Sequence, residues 1–269
     1  MNLKKVLISI LSGIILSLVI LISAPTHISA DTLKVGILAD NKPYSYLTNK
    51  KVTGFEVELS KKIAQEMDAN IKFVKVSDRK KLQKLVSEHQ IDLALGQFDK
   101  TTLSSKLITT DTYLYPQNVL FTGTHRHISS VEDLQNKKVG ILVNGNQHQL
   151  LTSLQMKPKV YNSISSLMKA LENKKIKAGI LTDYEYTAYL NKHPELTSAY
   201  LQALNSTKKS DLPKLTLTRI KDPQITSQQL VGITDKRNTK LNQALDKLKD
   251  GNDIIDLSQK YFSQDLTKQ

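Results

Sequence analysis

Three aspartates follow apolar, strand-like stretches of the chain: Asp40, Asp99 and Asp183. In open α/β sheets ligands bind in the crevice outside the carboxyl ends of the strands, so these side chains are expected to line one site. Carboxylates form charge-assisted hydrogen bonds with cations, which predicts a cleft that favours a solute with a charged amine. Aspartate is also a common turn residue, and Asp183 can cap the helix that follows, so each has a purely structural alternative.

Other residues offer little chemistry. His125 and His127 stand two apart without an acidic partner nearby, which favours a solvated loop over a metal site. The chain has no cysteine, so disulfides, thiolate metal sites and a lipid-bearing cysteine are excluded. It also lacks a glycine-rich phosphate loop, a serine-elbow motif and a helical HExxH pattern. We therefore expect no catalytic residue, no metal and no cofactor.

Short β-branched runs alternate with amphipathic stretches, which is typical of an α/β protein with largely parallel sheets. A helix with Phe55, Leu59, Ile63 and Met67 four residues apart presents one apolar stripe to a core. The predicted strands are 33–38, 71–76, 91–95, 138–143, 159–161, 178–181 and 230–233.

Several helix ends carry capping signals. Thr53 and Glu56 have the spacing of a capping box, in which each side chain satisfies an exposed backbone N–H of the other. Ser77 or Asp78 is expected to cap the next helix, and Gly251 is expected to end a later helix in a left-handed cap.

Two segments of the chain are alike. Residues 82–95 and 167–180 have apolar residues at matching places and a lysine third in each, which favours two similar lobes. Any two helix–strand units share some of this pattern, so the repeat is supporting evidence only.

The helix after residue 183 carries Tyr184, Tyr186 and Tyr189. Their helical spacing favours packing in a core, and lining of a cleft is the alternative.

The first thirty residues differ from the rest. Lys4 and Lys5 precede an apolar run at 6–24 and a small-residue exit at 28–30. This pattern predicts a signal peptide at residues 1–30, cleaved after Ala30. The apolar run approaches the roughly 20 residues that cross a bilayer, so an uncleaved membrane anchor is the alternative.

The chain is basic, with 38 Lys and Arg against 25 Asp and Glu and a net charge of +13. Without the N-terminal segment about +11 remains. In an exported protein this predicts weak association with anionic cell-wall polymers or lipid. The lysines are spread evenly and no basic cluster is interleaved with aromatic residues, so we expect no nucleic-acid partner.

Six segments in a fixed order carry a family resemblance. They read LKVGILADNKPYSYL, KVTGFEVELSKKIAQEM, IDLALGQF, TTDTYLYPQNVLF, SSVEDLQNKKVGILVNG and NQALDKLKDGNDIIDLSQKYF. The chain resembles the extracellular solute-binding proteins of family 3, which serve polar amino-acid ABC transporters, over nearly the whole length after residue 30.

The resemblance implies an α/β fold of the type II periplasmic-binding-protein class. Two α/β lobes would be joined by a two-strand hinge, and the ligand would lie in the cleft between them. Lobe one would comprise 31–115 and 228–269, and lobe two 116–227. The chain would cross between lobes near 113–121 and 225–231.

The resemblance also implies ligand-binding positions on the loops after the strands. Asp40 and Tyr44 stand at or beside the family's acidic and aromatic positions in the first loop. In lobe two, Asn146 and Gln147 precede a helix whose free N–H groups can hold a carboxylate. Asp183 matches the family's acidic residue that pairs with the α-ammonium group of the ligand.

The loop after the third strand reads GQFDKTTLSSK at 96–106, and Gln97 and Asp99 are its candidate ligand-binding residues. Relatives carry an arginine in this loop that grips the ligand carboxylate through a bidentate bond. Here Leu103 or Ser104 occupies that position. Lys100 or Lys106 is a possible substitute, although a lysine is a point charge and not a planar fork.

The predicted function is that of the extracytoplasmic substrate-binding component of an ABC importer. It would bind an amino acid or an amino-acid-like polar or cationic solute and deliver it to the permease. The missing arginine keeps open a membrane-anchored sensing or accessory domain. A third alternative is an exported lyase of the same fold.

Overall fold

The computed structural model describes residues 31–123, 127–197, 214–235 and 239–269. The predicted signal peptide or anchor at 1–30 lies outside the described residues, as do His125 and Arg126. Within the described part of the chain, no helix has both the length and the apolar character needed to cross a membrane. All elements below belong to the unit Thr32–Gln269.

The first sheet has five strands in the order β5-β1-β6-β13-β7. Strand β1 is parallel to β5 and β6, whereas β13 is antiparallel to β6 and β7. The strands are β1 Thr32–Leu38, β5 Asn70–Val76, β6 Leu93–Asp99, β7 Ile108–Thr109 and β13 Leu230–Thr234. A separate small sheet is formed by β2 Asp40–Asn41, β3 Ser45–Thr48 and β4 Lys51–Thr53.

Four helices pack on the first sheet. The apolar faces of three of them form one core cluster with β1 and β6, and the fourth helix packs on the opposite face. They are α1 Phe55–Glu66, α2 Arg79–Ser87, α6 Thr239–Asp250 and α7 Asp253–Phe262. The predicted stripe is confirmed, because Phe55, Leu59 and Ile63 are buried and Met67 packs against them.

The second sheet has five strands in the order β10-β9-β11-β8-β12. They are β8 Asn118–Gly123, β9 Lys138–Leu142, β10 Lys157–Tyr161, β11 Ala178–Thr182 and β12 Leu217–Ile220. Its described helices are α3 His148–Ser153, α4 Ile164–Glu172 and α5 Asp183–Lys192.

The chain passes between the sheets twice, after β7 and after β12. The two crossing segments run antiparallel and pair with each other: the Leu230 N–H donates to the Leu114 carbonyl, and the Gln228 N–H donates to the Pro116 carbonyl, both at 2.9 Å.

The internal repeat has a physical counterpart in both sheets. A methyl group placed on Gly36 of β1 would lie 2.7 Å from a Leu82 methyl, and one placed on Gly140 of β9 would lie 2.9 Å from Leu167. Leu82 and Leu167 occupy the same place in residues 82–95 and 167–180, and both are fully buried. In each lobe a leucine of the covering helix therefore packs directly on a strand glycine.

Two predicted helix ends are wrong. Helix α1 begins after Gly54, which caps it without a side-chain hydrogen bond. The Glu56 side chain points into the protein, where it accepts the Gln97 N–H, and does not form the predicted capping-box bond with Thr53. At the end of α6 the left-handed residue is Asn252, with φ 64°, and not Gly251. Asp78 does cap α2, because its carboxylate accepts the Lys81 N–H at 2.9 Å.

The third predicted strand is also longer than expected. Residues 96–99, predicted as a loop, continue β6 because β13 pairs antiparallel with them, Leu230 opposite Asp99 and Val231 opposite Phe98. Long-range pairing of this kind leaves no local signal in the sequence.

Gly54 is expected to be indispensable. Its φ is 121°, which L-residues rarely adopt, and a Cβ there would run into the Tyr44 carbonyl group. Gly54→Ala should lower the free energy of unfolding by about 2 kcal/mol or more, measured by urea unfolding. Gly251→Ala is the matched control and should cost less than about 1 kcal/mol, because Gly251 has no positive φ. Equal losses in the two variants would contradict this account.

Candidate functional site

The two sheets are bridged by one guanidinium group. Arg79, the first residue of α2, donates from Nε to the Gly96 carbonyl at 2.6 Å and from Nη2 to Gln97 Oε1 at 2.8 Å. The same Nη2 donates to the Asn144 carbonyl at 2.9 Å, and Asn144 follows β9 of the second sheet. Arg79 therefore connects the middle of β6 with the loop that follows β9.

Gln97 is the centre of this contact. Its φ is 54°, and it lies where the pairing of β6 with β13 shifts, so the backbone turns out of the regular ladder. The Gln97 N–H donates to Glu56 Oε1 at 2.8 Å, and its carbonyl accepts Asn146 Nδ2 at 2.9 Å. Gln97 of the first lobe is thus bonded to Glu56 of α1 through its N–H and to Asn146 of the second lobe through its carbonyl.

The network continues into the crossing segments. Asn146 Nδ2 also donates to Gln228 Oε1 at 2.8 Å, and Gln228 Nε2 donates to Asn118 Oδ1 at 2.9 Å. Gln147 Nε2 reaches the same Asn118 oxygen at 3.4 Å. The loop after β9 is therefore bonded both to the first sheet and to the residues that join the lobes.

A buried carboxylate lies beneath Gln97. Glu56 has no exposed surface, and its Oε1 accepts the Tyr113 hydroxyl at 2.7 Å in addition to the Gln97 N–H. Burial raises the pKa of Glu56, while these two bonds and the positive charge of Arg79 act in the opposite direction. The pKa of Arg79 is lowered by burial, which the charge of Glu56 counteracts.

A second, half-buried carboxylate comes from the other lobe. Glu185 completes a capping box at the start of α5, because its Oε2 accepts the Thr182 N–H at 3.0 Å and the Thr182 hydroxyl at 2.6 Å. Burial raises the pKa of Glu185. Both lobes therefore bring an acidic group to the region between the sheets.

Two tyrosines meet at the end of α7. The Tyr44 ring lies 5.1 Å from the Phe262 ring, and the Tyr184 ring of the second lobe lies 4.9 Å from the same ring. Tyr184 therefore packs against the core of the first lobe, whereas Tyr186 is buried in the core of the second. The predicted core packing holds for Tyr186, and Tyr189 packs against the same core.

Four of the predicted site residues belong to this region. Tyr44, Gln97 and Asn146 take part in the contacts just described, and Gln147 bonds to their edge at Asn118. Helix α3, which begins after Gln147, has only six residues.

The three predicted aspartates are not brought together. Asp40 is exposed. Asp99 accepts the N–H groups of Thr101 and Gln229 at 3.1 and 3.0 Å, so it holds a turn. Asp183 pairs with Arg219 Nη2 at 2.8 Å. Their roles in ligand binding stay predictions.

The substitutes proposed for the missing arginine do not contact this region. Lys100 and Lys106 are exposed, and Leu103 packs with the core behind β6. The cation that bonds to β6 at Gly96 and Gln97 is Arg79.

Sequence reasoning missed Glu56, Arg79 and Glu185 as members of the site. Glu56 had a readable signal, because it shares one helix face with Ser60 and Ile63, at positions i, i+4 and i+7, and all three are buried. Arg79 had none, because a cation in the first turn of a helix is ordinarily solvated.

Residues 33–264 match the family model of the bacterial extracellular solute-binding proteins, family 3. The chain is 28% identical to the probable amino-acid-binding protein YxeM of Bacillus subtilis, over 88% of this chain and 86% of that protein. It is 24% identical to the arginine-binding extracellular protein ArtP of the same organism, over 86% of each chain.

Solved structures agree on the fold. The arginine-, lysine-, histidine-binding protein ArtJ of Geobacillus stearothermophilus superposes with a TM-score of 0.62 at 17% identity, covering 87% of this chain and 96% of ArtJ. The chain belongs to the bacterial extracellular solute-binding proteins, family 3.

The predicted family and the type II periplasmic-binding-protein fold are confirmed. The predicted function is confirmed at the level of the family, because the chain is an extracellular solute-binding protein, and its place of action is extracytoplasmic.

Replacing the Glu56 carboxylate by an amide should stabilise the protein in a pH-dependent way. A carboxyl group whose pKa is raised on folding contributes most to the free energy of unfolding below its ordinary pKa of 4.5. This contribution is lost as the pH rises through the pKa of the folded state. Glu56→Gln keeps the Oε1 acceptor and removes that loss. Its Tm should exceed that of the wild type by a few degrees at pH 7–8, where about 1 kcal/mol corresponds to 2–4 °C.

The matched control is Glu66→Gln, an exposed glutamate at the other end of α1. Its free energy of unfolding should change by less than about 0.5 kcal/mol. A Glu56→Gln protein with the same pH profile as the wild type would show that burial of this carboxyl does not govern stability.

Proposed function

We propose that the protein binds an amino acid, or an amino-acid-like polar or cationic solute, between its two lobes and delivers it to the permease of an ABC importer. The observation that carries this proposal is the polar network between the sheets, which holds a guanidinium group and the buried carboxylate of Glu56. Groups of both charges suit a solute that bears both an amine and a carboxylate. The relatives named for amino-acid and arginine binding support the same solute class.

The lobes are proposed to comprise 31–115 with 228–269, and 116–227. The composition of the two sheets and the paired crossing segments support this division. Closure would then bring Asn144 and Asn146 of the second lobe onto Arg79 and Gln97 of the first.

The proposed ligand-binding residues include the predicted Tyr44, Gln97, Asn146 and Gln147, to which we add Arg79. The bonds of Arg79 use Nε and Nη2, and within the described residues Nη1 donates to no protein group. That edge of the guanidinium can hold the carboxylate of a solute.

Three further features belong to this proposal. The protein acts as a binding protein without enzymatic activity, which its membership of a solute-binding family supports. Residues 1–30 serve as a signal peptide or as an anchor. The charge of the remaining chain attracts it weakly to anionic cell-wall polymers or lipid.

A thermal-shift panel of amino acids, their amides and simple amines tests the binding function. A ligand that binds only the folded state raises the Tm, by about 2.7 kcal/mol of stability at a hundredfold excess over Kd. At least one amino acid should do so. A panel without any shift, followed by calorimetry without any heat of binding, would refute the proposed function.

Variants identify the cation that holds the solute. Arg79→Gln should weaken binding of the solute found in the panel by tenfold or more, about 1.4 kcal/mol, because a charge-assisted bond is lost. Lys100→Gln and Lys106→Gln are the matched controls and should leave Kd unchanged. The reverse pattern, with loss in a lysine variant only, would transfer the role to that lysine.

The predicted role of Asp183 is tested in the same assay. If its carboxylate holds the ammonium group, Asp183→Asn weakens binding by tenfold or more, about 1.4 kcal/mol. Arg219→Gln serves as the comparison, because it removes only the ion-pair partner of Asp183. Equal affinity in wild type and Asp183→Asn would remove Asp183 from the site and leave the fold untouched.

A further inference from the structure

Six exposed lysines, named the lysine patch, gather at the amino ends of three neighbouring strands of the second sheet. Lys138 begins β9 and Lys157 begins β10, and the two residues lie side by side in the parallel ladder. The turn before β11 adjoins them, because the Lys177 N–H donates to the Lys138 carbonyl at 2.9 Å. The patch consists of Lys137, Lys138, Lys157, Lys159, Lys174 and Lys175. Lysines that are far apart in the sequence are thus brought together by the parallel topology.

The charges of the lysine patch are not neutralised locally. The contributing segments 135–138, 155–159 and 173–177 contain no aspartate or glutamate. Among the residues that the structure describes, the six lysines form no ion pair with a carboxylate. Neighbouring strands lie about 4.8 Å apart, so these like charges repel one another. Bound anions would relieve this repulsion.

The first lobe shows that the fold does not require these charges. Residues 34–38 and 138–142 both read KVGIL. Lys34 pairs with Lys72 on the next strand, so two of the lysines have counterparts there. Asp92 takes the place of Lys177, and its N–H donates to the Lys34 carbonyl at 2.9 Å. The counterparts of Lys137, Lys159, Lys174 and Lys175 are Leu33, Val74, His89 and Gln90. The lysine patch is therefore a property of the second lobe and not of the fold.

The lysine patch lies at the opposite end of β9 from the contacts between the lobes. The loop at 144–146, which follows β9, bonds to Arg79 and Gln97 of the first lobe. Lys138 begins the strand, and at 3.3 Å per residue it lies about 13 Å from Leu142 at the other end. A partner bound to the patch would leave the region between the lobes accessible to a solute.

The side chains of the patch suit a flexible chain of phosphates. Lysine binds phosphate as a point charge on a flexible stem, and the patch contains no arginine that would fix one phosphate in a planar fork. Six charges on three strand ends can meet several anionic groups of one chain at once, which raises the affinity.

A lipid surface suits the patch less well. Binding at a lipid surface also uses apolar side chains that enter the interface. Here Ile176 is buried and Pro158 is half-buried, and the exposed neighbour Val160 is a single small side chain. The patch therefore offers ammonium groups with little apolar surface.

We propose that the lysine patch binds a linear phosphodiester polymer of the cell envelope. This inference rests on the attraction to anionic polymers in the proposed function, and it adds the surface that is responsible and the chemistry of the charges it meets. The polymer would hold the protein by the outer end of its second lobe.

The test measures binding of the full chain to poly(glycerol phosphate) by calorimetry. The patch variant carries Lys138→Gln, Lys157→Gln and Lys175→Gln. The matched control carries Lys34→Gln, Lys72→Gln and Lys75→Gln, which remove the same charge from exposed lysines of the first lobe. The patch variant should lose affinity by roughly tenfold or more and depend less steeply on salt, because fewer counterions are released. The control should stay close to the wild type, and equal losses in both variants would overturn the patch.

Two further probes separate the sources of negative charge. Inorganic phosphate at the same total phosphate concentration should bind far more weakly than the polymer, because a single ion cannot engage several lysines. Vesicles of phosphatidylglycerol and phosphatidylcholine should distinguish the patch variant from the wild type less than the polymer does. Residues 1–30 are the same in every variant and contribute equally. Patch-dependent binding to vesicles without binding to the polymer would overturn the polymer as the partner.

The remaining outcomes separate the patch from the other proposals. If the wild type does not bind the polymer, both the patch and the attraction to anionic polymers are refuted, whereas solute binding is judged by the thermal-shift panel alone. The patch variant should keep the wild-type affinity for the amino acid found in that panel, and its Tm should not fall, since repulsion has been removed. A loss of solute affinity in the patch variant would overturn the separation of the two surfaces.

Discussion

The contact between the lobes depends on the backbone of Gln97. Its left-handed conformation costs about 1–2 kcal/mol for a residue with a side chain. Three hydrogen bonds hold it there, from its N–H to Glu56, from Asn146 to its carbonyl and from Arg79 to its side chain. Two of these involve a charged group, and such bonds contribute about 1.5–3 kcal/mol each. The three hydrogen bonds therefore more than offset the strain of the Gln97 backbone when the lobes are in contact. The offset is smaller when the Asn146 bond is absent.

The electrostatics of the site follow from the same arrangement. Burial raises the pKa of Glu56 and lowers the pKa of Arg79, so it favours the neutral form of each group. Neither finds the other as a direct hydrogen-bond partner, because Gln97 lies between them and bonds to both. The two charged groups are thereby joined through Gln97 and form no direct ion pair.

The two lobes reach this arrangement through repeated packing. In each, a leucine of the covering helix packs on a glycine of the strand next to one edge of the sheet, Leu82 on Gly36 of β1 and Leu167 on Gly140 of β9. The close approach places the first turn of the helix beside the carboxyl end of the strands, because the helix runs back along the sheet. In the first lobe that turn carries Arg79. The repeated packing thus determines where a cation can enter the site.

Local pattern alone determined the α/β class, most strands, the apolar stripe of α1 and the order of two similar halves, since these follow from side-chain periodicity. Family resemblance added the type II fold and four residues of the network. The sequence could not place Asp99 in a turn, Asp183 against Arg219, or Glu56 beneath Gln97, because each depends on a partner far along the chain. Only the tertiary structure decided that the side chain of Arg79 bonds to Gly96 and Gln97, whereas those of Lys100 and Lys106 are exposed. The physical reason is that burial and hydrogen-bond pairing are properties of packed elements, whereas periodicity is a property of a single element.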